Sequence, residues 1–180
     1  FKDGISGTYQ ISNTLNSLSA GSHTIYVKDS KGCEVNFSAT ITEPAAALSV
    51  VLSTTNITCN TLTDGKASLT SSGGTSPYAY SWTGPSSYTS TSSSLTGLAA
   101  GTYNYVVTDA NSCTKSGSAT IVEPTAISIS PSKTDVSCKG GSTGSITLTT
   151  TGGTGAHTYS WTGPSSYTST SKNITALVVG

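Results

Sequence analysis

The sequence contains no arginine and no methionine, and charge of either sign is scarce. Its 180 residues include 8 lysines and 8 acidic residues, so charged residues make up only 9% of the chain, against about 25% in an ordinary globular domain. Binding to nucleic acid or to an anionic membrane surface requires clustered Lys or Arg. A helical membrane span requires a run of about 18 apolar residues, and the sequence has none. We therefore expect no nucleic-acid partner and no direct membrane insertion.

The chain repeats itself at a period of about 80 residues. The segment YSWTGPSSYTSTS begins at Tyr80 and recurs, letter for letter, 79 positions later at Tyr159. The N-terminal part aligns with the middle at an offset of 80, which places Cys33 on Cys113. The predicted units are the C-terminal half of a first repeat (1–44), a complete second repeat (45–124) and the N-terminal part of a third (125–180).

Apolar residues alternate with polar ones within each unit, which is the pattern of half-buried β-strands. Turn sequences such as Gly73-Gly74 separate these runs, and no stretch shows helical periodicity. We predict an all-β fold of tandem immunoglobulin-like antiparallel β-sandwich repeats, with about six or seven strands in the complete unit. The side chains expected in the structural core are Trp82, Trp161 and Tyr103, together with Leu69, Leu98, Tyr105, Val107 and Ile121.

The unit boundaries carry Glu-Pro pairs, Glu43-Pro44 and Glu123-Pro124. Proline lacks an N–H and ends strand pairing. The next unit begins immediately afterwards, so neighbouring repeats of the same chain should form a semi-rigid rod. Leu98 and the Gly-x-Tyr that ends at Tyr103 resemble the tyrosine corner of immunoglobulin-like folds, in which a Tyr hydroxyl ties down a strand crossover.

The complete unit runs from an early Cys through Gly-Gly-x-x-x-Tyr-x-Tyr-x-Trp, Leu-x-x-Gly-x-Tyr and Asp-x-x-x-Cys to a closing Glu-Pro. This order, from Cys59 to Pro124, resembles the SprB-type repeat found in many copies in the large surface adhesins of gliding bacteria. The resemblance implies an extracellular, adhesive filament on the bacterial cell surface that takes part in gliding motility and is exported by type IX secretion. The Ser/Thr-rich segment from Pro85 to Ser94 is longer than is usual in this family.

Histidine, the commonest general base, occurs only at His23 and His157. These positions align with Tyr103 and Tyr78 in the middle unit. A catalytic or metal-binding histidine should not be replaceable by tyrosine in a sister repeat, and a nucleophilic Ser or Cys has no other histidine to activate it. We therefore predict no catalytic residues, no cofactor and no enzymatic activity.

The four cysteines, Cys33, Cys59, Cys113 and Cys138, have no zinc-site spacing. The complete unit carries two, Cys59 early and Cys113 late, whereas Cys33 is a late cysteine and Cys138 an early one whose partners would lie outside residues 1–180. We predict a Cys59–Cys113 disulfide within the middle unit, because an extracellular location favours oxidation. Reduced thiols and pairing between neighbouring units are the alternatives.

A calcium site is an alternative role for the acidic residues. These residues are isolated, whereas Ca²⁺ requires six or more oxygen ligands. Aspartates at turns usually accept hydrogen bonds from their own backbone. The best calcium alternative combines Asp109 with Asn111 or Glu123. The isolated aspartates considered are Asp29, Asp64, Asp109 and Asp135.

Tyr88 and its copy Tyr167 lie in the Ser/Thr-rich segment and are the candidate ligand contacts, since aromatic faces stack on sugars. A surface polysaccharide or the substratum would be the partner. The favoured function is a structural and adhesive region of a secreted cell-surface filament. The alternatives are a glycan-binding module and an accessory domain of a secreted enzyme.

Overall fold

A computed structural model describes residues 2–4, 8–9 and 14–178. Its regular elements are short antiparallel strands and two three-residue 3₁₀ turns, Pro85–Ser87 and Pro164–Ser166. The predicted all-β class is therefore confirmed. Within the described ranges, no helix is long and apolar enough to cross a membrane.

The middle unit is a sandwich of two antiparallel sheets, each with one face on a shared core. The first sheet has the order β4 (Ser49–Thr55), β5 (Gly65–Ser72) and β8 (Ser94–Leu98). The second has the order β10 (Thr114–Ile121), β9 (Gly101–Thr108), β6 (Ala79–Thr83) and β7 (Thr89–Ser90). These seven strands agree with the prediction of about six or seven.

The core of the middle unit follows the alternation in the sequence. Along β9 every second side chain, from Tyr103 through Tyr105 to Val107, points inward and is buried. Trp82 on β6 is 1% exposed, and its ring centroid lies 5.3 Å from that of Tyr105. Burying each large apolar side chain stabilises the fold by about 1.5–3 kcal/mol. The other side chains predicted for the core of this unit are also buried: Leu69, Leu98 and Ile121.

Tyr103 forms the predicted tyrosine corner. Its hydroxyl donates to the carbonyl oxygen of Ala99 at 3.1 Å, across the crossover from β8 to β9. Burial raises the pKa of Tyr103, and the neighbouring Tyr88 adds to this. The ring of Tyr103 packs on Gly84, where a Cβ would lie 2.4 Å from Tyr103 Cδ1. Gly84 therefore lets the loop after β6 close onto β9.

One cross-strand pair between β9 and β10 carries its aromatic side chain on different strands in different repeats. Gly117 faces Tyr105 in the strand register, and a Cβ at Gly117 would lie 2.4 Å from the Tyr105 hydroxyl oxygen. In the first unit the same pair is Phe37 and Ile25. The aromatic side chain thus lies on the opposite strand in the first unit, where Phe37 is 70% exposed.

The direction of the strands gives the middle unit two distinct ends. At the upper end, defined by the Gly73-Gly74 turn and the 109–113 turn, Gly74 N–H donates to the Ala46 carbonyl at 2.7 Å. At the lower end, defined by the 56–62 loop and residues 122–124, Ile57 N–H donates to the Val122 carbonyl at 3.1 Å. Strands β4 and β10 lie beside each other and both run from the upper end to the lower end.

The flanking units repeat the local pairings. The first unit contains β1 (Lys2–Asp3), β2 (Gly21–Lys28) and β3 (Glu34–Ile41), in that order. The third contains a sheet of β11 (Ser128–Thr134), β12 (Gly144–Thr151) and β15 (Ile174–Leu177), beside the pair β13 (Trp161–Thr162) and β14 (Thr168–Ser169). Trp161 is only partly buried, because no strand among the described residues of the third unit takes the place of β9. Its core position is therefore less enclosed than that of Trp82.

Candidate functional site

The 109–113 turn at the upper end is organised by a buried carboxylate. Asp109 is 4% exposed. It accepts hydrogen bonds from the backbone N–H groups of Thr75 at 2.9 Å, Asn111 at 2.9 Å and Cys113 at 2.8 Å. The N–H of Thr75 contributes most to lowering the pKa of Asp109, and burial opposes it. The Asp109 carboxylate thus holds the 109–113 turn against the Gly73-Gly74 turn.

This geometry argues against the calcium site that combines Asp109 with Glu123. The Glu123 carboxylate accepts from Thr61 N–H at 3.2 Å at the lower end, a full strand length from Asp109. The Asn111 amide donates to Thr75 Oγ1 at 2.9 Å. In the part of the chain that the structure describes, no group of three or more His, Cys, Asp or Glu residues could hold a metal ion.

Asp64 has a structural partner at the lower end. Its carboxylate accepts from the hydroxyl of Thr58, which contributes most to lowering the pKa of Asp64, and from Thr58 N–H at 3.1 Å. In the third unit Thr143 replaces Asp64, and its hydroxyl accepts from Ser137 N–H at 3.0 Å. A neutral hydroxyl can therefore do the same work, so the position does not require a carboxylate.

Both histidines take over a hydrogen bond that tyrosine makes in the middle unit. Tyr78 hydroxyl donates to the Gly73 carbonyl at 2.6 Å, and His157 Nε2 lies 3.0 Å from the matching carbonyl of Gly152. His23 Nε2 lies 2.8 Å from the Ser19 carbonyl, the counterpart of Ala99 in the tyrosine corner. The two histidines occupy structural positions in different parts of the repeat and belong to no common site.

The Tyr88 side chain packs against the core and does not project from the surface. Its ring meets Tyr103 edge-on, with centroids 5.3 Å apart and an interplanar angle of 89°. It is half-buried and packs against the buried core. Tyr167 is 37% exposed, since the position matching Tyr103 lies beyond residue 180. This arrangement gives Tyr88 a packing role, and a ligand role for Tyr88 or Tyr167 stays a prediction.

The apolar groove of the third unit corresponds to part of the core in the middle unit. It is lined by Trp161, Tyr167, Ile174 and Leu177, among others. The matching side chains of the middle unit are covered by β9, with Tyr103 and Tyr105 inside. We therefore treat this groove as an uncovered core surface and not as a ligand site.

The predicted disulfide within the middle unit is wrong. Cys59 lies in the 56–62 loop at the lower end, and Cys113 lies in the 109–113 turn at the upper end. The eight residues of β10 between these ends span about 25 Å, whereas bridged cysteines have Cα atoms within about 7 Å. All four cysteines are exposed free thiols. The spacing of the cysteines carries no information on strand direction, which is why sequence reasoning missed this.

Comparison with known families explains the repetition. The family model of the SprB repeat matches residues 51–87 and 130–166. Both matched segments are consistent with SprB-type repeats. Both matches run from the first strand of a unit to its 3₁₀ turn, so they describe the same structural segment twice. No curated protein matches the chain. The SprB match suggests a cell-surface, adhesin-like repeat region and a structural rather than enzymatic family.

Contacts at the junction between the second and third repeats form the feature that sequence reasoning missed. Asn60 Nδ2 donates to the Pro124 carbonyl at 3.1 Å. Thr154 Oγ1, in the third repeat, donates to the Thr58 carbonyl of the second at 3.2 Å. The 56–62 loop of one repeat therefore contacts both the link and the upper end of the next repeat.

Proposed function

We propose that these SprB repeats are a non-catalytic structural and adhesive region of a long filament on a bacterial cell surface. The filament would be of the kind that serves gliding motility and is exported by type IX secretion. Its contacts would be a surface polysaccharide or the substratum, reached through many copies of a weakly binding unit.

The observation that carries the proposal is the direct joining of one repeat to the next. Only residues 122–127 separate β10 from β11, and the 56–62 loop holds this link by the bond from Asn60 to the Pro124 carbonyl. The bond from Thr154 to Thr58 crosses the junction itself. A short link that is hydrogen-bonded restricts the angle between repeats, which supports a rod over a string of freely jointed domains.

The interchange of residues between repeats supports the absence of catalysis. His157 and Tyr78 make equivalent hydrogen bonds, and Thr143 takes the place of Asp64. A reaction needs a specific proton donor, acceptor or nucleophile, and these exchanges keep hydrogen bonding while changing acid–base chemistry. What persists from repeat to repeat is the framework.

Repetition also suits weak adhesion. When many copies of a unit are joined, each further contact forms at a high effective concentration, so that avidity exceeds the affinity of one unit. A surface rich in neutral hydroxyl groups and poor in charge gives no single strong anchor.

The test is to vary repeat number. Arrays of two, four and eight copies of residues 45–124 are examined by small-angle X-ray scattering. We expect the maximum dimension to increase by about 35 Å per repeat, because the chain from Ala46 to Asn56 crosses the repeat between its two ends at about 3.3 Å per residue. Adhesion of cells carrying the shortened arrays should decrease as repeats are removed. A matched array carrying Tyr88→Ala in every repeat should adhere equally well. Adhesion that is independent of repeat number, or tight glycan binding by one unit that Tyr88→Ala abolishes, would contradict the filament and favour a glycan-binding module.

A further inference from the structure

We propose that the cysteines form disulfides between consecutive repeats. The early cysteine of one repeat, in the 56–62 loop, would bond to the late cysteine of the next repeat, in the turn that follows the buried aspartate. Each junction would then carry one covalent bridge. This inference rests on the junction geometry and is independent of what the filament binds.

The first step is that Cys59 faces the next repeat. The carbonyl of the preceding residue, Thr58, accepts a hydrogen bond from Thr154 Oγ1 at 3.2 Å. Cys59 also lines a shallow pocket with Thr125 and Gly153, which belong to the upper end of the third repeat. The thiol of the second repeat therefore lies beside the Gly-Gly turn of the third.

The second step uses the middle repeat, where that upper end is complete. The counterpart of Thr154 is Thr75, which contacts the 109–113 turn through three hydrogen bonds. Ala110 N–H donates to the Thr75 carbonyl at 2.8 Å, Asn111 Nδ2 donates to Thr75 Oγ1 at 2.9 Å, and Thr75 N–H donates to Asp109 at 2.9 Å. The same carboxylate accepts from Cys113 N–H at 2.8 Å. One aspartate side chain therefore links Thr75 to the backbone of Cys113.

Together these contacts place two cysteines at one junction. Thr154 lies against the residue next to Cys59, and the position of Thr154 in a complete repeat lies against the turn that carries the late cysteine. The late cysteine of the third repeat, 79 positions after Cys113, would therefore lie beside Cys59.

The same geometry accounts for the four free thiols. The partner of Cys113 would be the early cysteine of the first repeat, and its position precedes residue 1. The partners of Cys33 and Cys138 likewise fall in repeats outside residues 1–180. No two of the four cysteines are therefore expected to pair with each other.

The bridge forms by ordinary thiol oxidation. Two thiols lose two protons and two electrons, one S–S bond forms, and a disulfide oxidant of the thiol–disulfide oxidoreductase class is reduced to its dithiol. In the test, oxidised glutathione serves as this oxidant and leaves as two molecules of reduced glutathione. Cys59 is exposed, and so is Cys113, the counterpart of the late cysteine, so the oxidant can reach both positions.

The test completes the third repeat with the chain's own sequence. Residues 102–124 are appended after Gly180, which adds a second copy of Cys113. The substitutions Cys33→Ser, Cys113→Ser and Cys138→Ser then leave only Cys59 and the appended cysteine. After equilibration in a glutathione redox buffer, we expect a monomer that has lost both reactive thiols. Its non-reduced digest should contain a peptide pair joining Cys59 to the appended cysteine.

The matched control tests the pairing within one repeat. It keeps Cys59 and Cys113 and has serine at Cys33, Cys138 and the appended cysteine; we expect both thiols to stay reactive towards iodoacetamide in the monomer. Circular dichroism of the reduced proteins establishes that both variants are folded. A disulfide in the control monomer, or two free thiols in the folded test protein after oxidation, would overturn the proposal.

Discussion

The two tryptophans offer a measurement of what the second sheet contributes to the core. Trp82 and Trp161 lie in 13-residue segments of identical sequence. Their indole N–H groups make the same hydrogen bond, to the carbonyl of Ser92 at 2.9 Å and of Ser171 at 2.8 Å. Trp82 is covered by β9, whereas Trp161 is only partly buried. We predict that Trp82→Phe destabilises the protein more than Trp161→Phe does.

The magnitude follows from the two contributions lost at Trp82. The hydrogen bond of the indole contributes about 1 kcal/mol, and a void of at least methyl size beneath Tyr105 costs about 1 kcal/mol more. Trp82→Phe should therefore lower the free energy of unfolding by about 2 kcal/mol, which is about 8–16 °C in Tm for a domain of this size. At Trp161 water can replace the lost partner, so the loss should stay below about 1 kcal/mol.

Urea unfolding of the 180-residue chain, followed by far-ultraviolet circular dichroism, measures both variants. Trp161→Phe also leaves Trp82 as the single tryptophan, so that its fluorescence reports on the middle repeat alone. Equal losses in the two variants would show that local sequence and the indole hydrogen bond determine the effect. That result would refute the argument from coverage by β9.

Three further predictions concern the middle repeat and are measured by thermal and urea unfolding. Gly117→Phe should lower the free energy of unfolding by about 1–3 kcal/mol through overpacking. Adding Tyr105→Ile gives the residue pair found in the first repeat, and the two substitutions should show a coupling energy of at least about 1 kcal/mol. Additive effects of the two substitutions would refute this. Asp109→Asn should lower the free energy of unfolding at pH 7 and should reduce the loss of stability in acid. The lowered pKa of Asp109 stabilises the fold above pH 3.8, and this contribution disappears as the pH falls through the folded-state pKa. Asp29→Asn is the matched control, since Asp29 is exposed and bonds its own turn; an equal effect there would contradict the bridging role of Asp109. Tyr103→Phe should cost about 1 kcal/mol, because the Ala99 carbonyl loses its donor, and an unchanged Tm would contradict the tyrosine corner.

Alternation and turn residues were sufficient to predict the sandwich and its core in the complete repeat. The side chains of β9 point inward at every second position, so a period of two in the sequence translates directly into burial. The tyrosine corner was also predictable, since it depends on residues only four apart, Ala99 and Tyr103.

The position of the cysteines was not predictable in this way. Whether Cys59 and Cys113 meet depends on which end of the sandwich each loop occupies, and this is determined by the order and direction of strands far apart in sequence. The packing of Tyr88 on Tyr103 has the same origin, since the loop after β6 folds back onto a strand that begins at Gly101. Local sequence patterns predict the strands, whereas contacts between loops depend on the complete strand topology.

The parallel course of β4 and β10 determines how a repeat would respond to tension. The chain enters each repeat at the upper end of β4 and leaves it at the lower end of β10, where Ile57 and Asn56 bond to Val122. A pull on the two termini therefore slides these strands past each other along their length. Because β4 and β10 belong to different sheets, the load falls on the hydrogen bonds at their lower ends, from Ile57 N–H to the Val122 carbonyl and from Val122 N–H to Asn56 Oδ1, which are loaded together and not one at a time. The repeat should for this reason yield at a higher force when stretched through its termini than when peeled from one edge.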